Sequence, residues 1–205
     1  EKAFYLVHHL RPGDWTFSVH GDVTAFDQYE HLTDLAQVLA QHPGLRATLG
    51  DYLVKPDIVV GRSPVSDREI NQDVDILQGN TATLTPLRAS NLSGPRPILH
   101  ASISCKWTIR SDRAQNARTE GLNLIRNRKG NTPHIVIVTA EPLPSRIASV
   151  ALGTGDLDCV YHMALYELGE SVKAVGDETL SEIFDLLVDG KRLRDISDLP
   201  FDLAI

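Results

Sequence analysis

The chain has 205 residues, 42% of them apolar and 23% charged, with a net charge of −7. This length suits one domain with a sizeable core, and the composition is that of an ordinary globular protein. No apolar run reaches the roughly 20 residues that a membrane-spanning helix needs, and the acidic net charge disfavours general nucleic-acid binding.

The first half of the chain contains few regular elements. Residue 1 already lies in a helix-like pattern, so we expect further residues of the full-length protein to precede it. Apolar spacing predicts a helix over residues 25–41, and residues 57–61 have the pattern of a short buried strand. Residues 63–96 are rich in Ser, Asn, Pro and Gly. They predict a long irregular segment, a type that is often functional.

Strands and helices alternate in the second half. Residues 97–107 predict a central strand, and Ser111 is expected to cap a helix that runs to about Arg128. Residues 134–139 have the clearest pattern of a buried strand. The remaining predicted elements are a helix over 142–151, a strand over 156–160, helices over 161–172 and 178–188, and a polar tail. This order predicts one α/β (α+β) domain over residues 1–205, with a central mixed β-sheet flanked by helices.

Charge is unevenly distributed along the chain. Residues 106–129 contain seven basic and two acidic residues, a net charge of +5, which leaves −12 for the rest of the chain. A basic face on an acidic body is compatible with DNA binding, and acidic surroundings discourage loose nonspecific contacts. For the charge pattern alone, a solvated basic helix is the alternative.

The cysteines and tryptophans are expected to lie in the core. Cys105 and Cys159 both sit in apolar runs, which favours reduced, buried thiols over a disulfide. Reduced thiols are typical of a cytoplasmic protein. Trp15 and Trp107 are expected to be packing residues.

Asp57 and Lys106 suit the hydrolysis of a phosphodiester. Each lies at the end of a predicted strand, so neighbouring strands could bring them together. Hard cations such as Mg²⁺, held by carboxylates, activate water and neutralise phosphate charge, and a lysine beside them can orient the water. Alone, this pair is a weak signal, because Asp57 could cap a turn and Lys106 could extend to solvent from a strand end.

The residues that follow Lys106 make the pattern more specific. Ser104 stands where a Pro-Asp…(Asp/Glu)-x-Lys nuclease has a carboxylate, and Glu120 on the next predicted helix is the replacement. The wider segment reads Lys106-x-x-x-Arg110-Ser111-Asp112-Arg113, followed by Arg118 and Glu120. It resembles the motif of the type II restriction endonucleases that cut sites with a CCGG core, a family of that nuclease superfamily. The resemblance extends from Asp57 to the C-terminus.

This resemblance implies a restriction-endonuclease-like core and a site-specific deoxyribonuclease of the bacterial cytoplasm that uses Mg²⁺. Asp57, Lys106 and Glu120 would be the catalytic residues. The metal ligands would be Asp57, Glu120 and the backbone carbonyl of Cys105. The family also has an acidic residue on a helix well upstream, and we expect its counterpart among residues that precede Glu1.

Residues 110–113 are suited to reading bases directly. An arginine fork matches O6 and N7 of guanine, and a carboxylate can accept from the amino groups of two cytosines. Arg110 and Arg113 could therefore bind two guanines and Asp112 two cytosines, with Ser111 between them. That is one CCGG half-site, and a palindrome implies a symmetric dimer. A salt-bridge cluster at the start of a helix is the alternative.

Two further arginines are candidates for DNA contacts. Arg146 resembles the residue that contacts a base outside the CCGG core in one branch of the family, which implies an outer guanine. The site would then be GCCGGC, cut to leave a 5′ overhang; otherwise Arg146 contacts phosphate or lies at the surface. Arg118 belongs to the motif, and its position suits a phosphate contact better than a base contact.

Three functions remain open from the sequence. A Mg²⁺-dependent, sequence-specific endonuclease acting on double-stranded DNA accounts for both groups of residues, and the resemblance suggests a homodimer or a tetramer of two dimers. A catalytically incomplete DNA-binding relic would follow if the upstream acid were absent. A repair or recombination nuclease on the same fold explains the catalytic residues but gives no reason for residues 110–113.

Overall fold

A computed structural model describes residues 1–49, 54–153 and 155–205, without the side chains of residues 49 and 111–114. Its centre is a mixed sheet in which the strands follow each other in chain order. The strands are β1 (Trp15–Val19), β2 (Ile58–Arg62), β3 (Ile98–Lys106), β4 (His134–Thr139), β5 (Cys159–His162) and β6 (Leu193–Asp195). β1, β2 and β3 pair antiparallel, whereas β3 to β6 pair in parallel. The predicted α/β fold class is confirmed.

Helices cover both faces of the sheet. Those before β3 are α1 (Lys2–Val7), α2 (Leu32–Gln41), α3 (Pro43–Leu49) and α4 (Asp67–Ile70). Those after it are α5 (Ser111–Asn127), α6 (Pro144–Ala151), α7 (Leu165–Val175), α8 (Glu178–Asp189) and α9 (Leu199–Asp202). One core lies under α5 to α8 and includes Leu124, Ile147 and Leu187. The other lies on the opposite face, where Phe4 of α1 packs with Ala101 and Ile103.

The predicted helix over residues 25–41 is correct only from Leu32 onward. Its first part is replaced by two short 3₁₀ turns, Val23–Ala25 and Asp27–Tyr29. The reason is a tertiary contact of Gln28, whose buried amide donates to Leu99 O at 2.8 Å and accepts from Leu99 N at 2.9 Å. Leu99 lies where the pairing of β2 with β3 shifts register, so Gln28 satisfies polar backbone groups beside this irregularity.

Other differences from the sequence prediction concern short elements. β1 is not predicted, and residues 161 and 162 belong to β5 rather than to a helix. The polar tail contains β6 and α9. Within residues 63–96, predicted as irregular, α4 forms one short helix, and Asp67 pairs with Arg88 at 2.8 Å.

The cysteines and tryptophans divide between core and surface. Both cysteines are free, as predicted, and burial raises the pKa of the Cys159 thiol to about 11, which makes it unreactive. Cys105 is exposed, so its predicted burial was wrong. Trp15 is buried, but Trp107 is 73% exposed, because it follows the last residue of β3 where the chain leaves the sheet. None of the described helices is long and apolar enough to cross a membrane.

His100 makes folding sensitive to acid. It is buried, and its Nε2 donates to Leu203 O at 2.7 Å when the ring is neutral. Burial lowers the pKa of His100 to about 4; the hydrogen bond to Leu203 raises it, and His134, Arg11 and Arg62 lower it further. In the unfolded chain His100 therefore binds a proton as the pH falls below about 6.5. In the folded chain His100 binds a proton only near pH 4.

We expect the free energy of unfolding to be unaffected by His100 above pH 6.5 and to fall as pH drops toward 4, by up to about 3 kcal/mol. A His100→Gln variant should have a flatter dependence of stability on pH over that range. Urea unfolding at pH 7.5 and pH 5 measures this. Equal pH slopes for the variant and the unmodified chain would refute the role of His100.

Candidate functional site

The antiparallel pairing of β2 with β3 brings Asp57 to Lys106. Asp57 directly precedes β2, and Lys106 is the last residue of β3, so the two meet at one edge of the sheet. Asp57 Oδ2 accepts from Lys106 Nζ at 3.1 Å and from the backbone N–H of Cys105 at 2.7 Å. The side chains are 32% and 20% exposed respectively, so the pair is partly shielded but open to a ligand. The pairing expected from the sequence is therefore present.

Glu120 reaches the same end of β3 from α5. Ser104 Oγ donates to Glu120 Oε2 at 3.0 Å. Ser104 and Lys106 are two residues apart on one strand, so their side chains leave the same face of the sheet. Glu120 thus places a carboxylate beside residue 104, and its predicted catalytic role stays a prediction. Ser104 contributes a hydrogen bond that holds it.

Gly121 allows α5 to approach closely enough for this contact. A Cβ at residue 121 would lie 2.6 Å from the backbone oxygen of Asp156 and 3.4 Å from the side chain of Ile135. Because a backbone oxygen cannot rotate out of the way as a flexible side chain can, any residue larger than glycine at position 121 would displace the helix.

We expect Gly121→Ala to destabilise the fold by about 1–3 kcal/mol through overpacking. The DNA cleavage expected from the sequence should slow by about 10-fold or more, because Glu120, one of its predicted catalytic residues, moves with the helix. Thermal melting and single-turnover rates measure the two effects. Gly44→Ala in α3 is the control, since a Cβ there meets nothing within 4 Å. Unchanged cleavage by Gly121→Ala would show that Glu120 does not depend on the helix position.

The oxygen ligands at this edge fit a hard divalent cation. Asp57 and Glu120 provide carboxylates, and both are tied to consecutive residues of β3, Cys105 and Ser104. The backbone carbonyl of Cys105, the residue whose N–H binds Asp57, could complete the set. Within the described residues, no group of three or more His, Cys, Asp and Glu side chains forms a ready metal site. Any cation here would therefore rely on backbone, water or substrate oxygens as well.

The start of α5 presents the predicted base-reading segment close to this edge. Ile109 is buried, and Arg110 is exposed with extended backbone as the N-cap of α5. Ser111 is the first residue of the helix rather than its cap, so that prediction was wrong. The side chains of Ser111, Asp112 and Arg113 lie outside the described residues, and their predicted contacts with bases stay predictions. Arg110 carries no ion pair with a described carboxylate.

Arg118 and Arg146 occupy different environments. Arg118 Nε lies 3.3 Å from Asp156 Oδ2 and is largely shielded, and its predicted contact with phosphate stays a prediction. Arg146 lies in the first turn of α6, half-exposed, with Nη1 3.6 Å from Glu141 Oε1. Arg146 can therefore still reach a ligand, whereas Arg118 is held by its partner.

Glu141 also lies in this region, and no sequence pattern predicted a functional role for it. It is fully buried, and its carboxylate accepts from the backbone N–H of Ile109 at 2.7 Å and of Leu143 at 3.2 Å. The available signal was its position two residues after β4, because functional groups gather at the carboxyl ends of parallel strands. Its place between Ala140 and Pro142 otherwise resembles an ordinary loop.

Comparisons with known proteins show the family to which the chain belongs. The family model of the NgoMIV restriction enzyme matches residues 1–205. The type II restriction enzyme NgoMIV of Neisseria gonorrhoeae is 55% identical over 211 residues, covering 100% of this chain and 73% of that enzyme. Among solved structures, a complex of restriction endonuclease PspGI with substrate DNA matches with a TM-score of 0.33 and 20% identity. That match covers 50% of this chain and 38% of the other.

The chain is therefore a type II restriction endonuclease, an enzyme that cuts double-stranded DNA at specific sequences. Within that class it belongs to the NgoMIV restriction enzyme family. The resemblance to a type II restriction endonuclease family, drawn from the segment between Lys106 and Glu120, is confirmed. Enzymes of this class use divalent metal ions.

Proposed function

We propose that the protein is a Mg²⁺-dependent endonuclease that cuts a palindromic site with a CCGG core, GCCGGC, and leaves a 5′ overhang. The observation that carries this proposal is that the proposed catalytic residue Lys106 and the proposed base-reading residue Arg110 lie close together in the chain. Lys106, paired with Asp57, ends β3, and Arg110, the N-cap of α5, follows only four residues later. A phosphodiester next to Lys106 would thus belong to the base pairs that residues 110–113 contact.

Asp57, Lys106 and Glu120 divide the proposed catalytic work. Asp57 and Glu120, with the carbonyl of Cys105, would hold Mg²⁺. When bound, the ion neutralises charge on the phosphate and lowers the pKa of water, so that the water loses a proton more easily and becomes a better nucleophile. Lys106 Nζ orients the attacking water and offsets negative charge on the phosphate. One P–O bond forms to the water oxygen while one P–O bond to the leaving sugar oxygen breaks.

Residues 110–113 would read the core of the site. Arg110 and Arg113 would each bind a guanine, and Asp112 would accept from two cytosines. The exposure of Arg110, with no described carboxylate paired to it, leaves its guanidinium available for this contact. A palindrome read in this way requires two protomers related by a two-fold axis, and we propose a homodimer that pairs into a tetramer.

Digestion of plasmid DNA tests this function. With Mg²⁺ we expect a defined fragment pattern, and sequencing of the ends should give GCCGGC with a 5′ overhang. A chelator should abolish cutting, and added Mg²⁺ should restore it. Specific binding without any cutting would instead indicate a catalytically incomplete relic. Cutting of DNA without CCGG at a comparable rate would contradict the proposed specificity.

The assembly is tested separately. Light scattering at working concentration should give the mass of four chains of 22.6 kDa. A strict dimer would contradict the tetramer but would leave the proposed reading of a palindrome intact, because one dimer already supplies both half-sites.

A further inference from the structure

Glu141 is a fully buried carboxylate that contacts two separate loops. Its Oε2 accepts from the backbone N–H of Ile109, in the loop between β3 and α5, at 2.7 Å. Its Oε1 accepts from the backbone N–H of Leu143, at the start of α6, at 3.2 Å, and lies 3.6 Å from Arg146 Nη1. The two oxygens of one carboxylate therefore bind two different elements.

Each of those elements carries an arginine directed at DNA in the proposed function. Ile109 immediately precedes Arg110. Leu143 is the N-cap of α6, and its carbonyl accepts from Arg146 N at 3.0 Å, so Glu141 fixes the turn from which Arg146 projects. Displacing either oxygen of Glu141 would release one of these two positions.

The main chain of Glu141 is itself anchored to the sheet. Glu141 N donates to Thr139 Oγ1 at 3.1 Å, and the carbonyl lies 3.2 Å from His162 Nε2. His162 Nδ1 accepts from Ala164 N at 3.1 Å, which leaves the proton on Nε2, where it can donate to Glu141 O. The backbone of Glu141 is therefore fixed to neighbouring elements, while its carboxylate binds two loops. A carboxylate buried in this way would be costly without such partners.

We propose that Glu141 is a positioning residue that couples the reading of the outer base pair by Arg146 to the reading of the core that begins at Arg110. This inference rests on the proposed function, because it takes Arg146 as the outer reader. Glu141 touches no reacting atom. It sets the distance between two readers, so its loss should relax sequence preference rather than only slow the reaction.

Glutamine at residue 141 is the sharpest substitution. Its amide oxygen replaces one carboxylate oxygen, but its NH₂ group faces a second donor in either orientation, either Ile109 N–H or Leu143 N–H with Arg146. One of the two loops must then lose its contact, and in either orientation Arg146 loses its charged partner, while the size of the side chain is kept. Glu167→Gln in α7 is the matched control, since Glu167 is exposed and far from both loops in sequence.

The test uses DNA with a fixed CCGG core and randomised outer base pairs, followed by sequencing of the cut ends. For E141Q we expect the preference for the outer guanine, as a ratio of kcat/KM values, to fall about 10- to 100-fold, the scale of one bidentate base contact. R146A should show the same fall. The double variant should show little more, because the two residues act on one contact. E167Q should keep the original profile.

An E141Q enzyme that cuts more slowly but keeps the full outer preference would overturn the coupling and leave Glu141 a merely structural residue. If the E141Q protein unfolds at too low a temperature to be assayed, the E141D variant provides the same test. Aspartate keeps the charge but is one methylene too short to hold both loops, so a full outer preference in E141D would also overturn the coupling. A missing outer preference in the unmodified enzyme would instead contradict the proposed GCCGGC site, and the coupling with it. Failure of the coupling would therefore be seen in E141Q or E141D, whereas failure of the proposed GCCGGC site would be seen in the unmodified enzyme.

Discussion

Lys106→Ala is expected to slow cleavage by at least about 10³-fold while leaving the affinity for CCGG-containing DNA within a few-fold of the unmodified enzyme. Lys106 supplies the one ammonium group paired with Asp57 among the described residues, and alanine leaves nothing there to orient water or offset phosphate charge. Binding should survive because the proposed base readers lie beyond Lys106, from Arg110 onward. Single-turnover cleavage and fluorescence anisotropy measure the two quantities.

Lys173→Ala is the control for Lys106→Ala. Lys173 is exposed in the last turn of α7, away from the proposed catalytic edge in the chain, and its loss should change neither cleavage nor binding. Near-normal cleavage by Lys106→Ala would remove the lysine from the mechanism. A parallel loss of binding and cleavage would instead mean that Lys106 mainly contacts DNA in the ground state.

The central part of the fold was predictable because local signals and burial agree there. β3 is buried along nearly all of its length, and α5 continues without a break to Asn127, so an apolar run and a long helical pattern both remain visible. β1 was missed because its burial pattern has only Trp15 fully buried. β6 has three residues and owes its place to pairing with β5, which no local pattern records.

The proximity of the proposed catalytic residues was predictable for a different reason. Asp57, Lys106 and Glu120 have residue types that only a few chemistries require, and their spacing placed them on adjacent elements. Their fine positions were not predictable. The hydrogen bond from Ser104 to Glu120 depends on how closely Gly121 lets the helix approach, and the role of Glu141 depends on which N–H groups surround it. Both are tertiary contacts between residues that are distant in sequence.

Arg110→Ala is expected to weaken binding to the cognate site by about 10- to 100-fold and to relax selectivity at one core guanine, since a bidentate arginine–guanine pair contributes about 1–3 kcal/mol. Arg110 is exposed, and its backbone is extended where α5 begins, so its side chain can extend away from the helix. Competition binding with sites altered at each core position measures the change. Arg126→Ala, at the other end of the same helix, is the control: Arg126 is exposed and lies outside the proposed base-reading segment, so its loss should leave selectivity among the sites unchanged.

Replacing the contacted guanine with 7-deazaguanine separates base reading from general attraction by a positive charge. The modified base lacks the N7 acceptor, so the enzyme with Arg110 should lose affinity on it, and Arg110→Ala should be indifferent to the change. Arg110→Lys keeps the charge but not the planar fork, so it should resemble alanine in selectivity and the unmodified enzyme in salt dependence. If lysine restored full selectivity, charge alone would explain Arg110, and the loop after Lys106 would attract DNA without reading it. Joint loss of selectivity and sensitivity to N7 in both variants would make Arg110 a base reader four residues after Lys106, the proposed catalytic lysine.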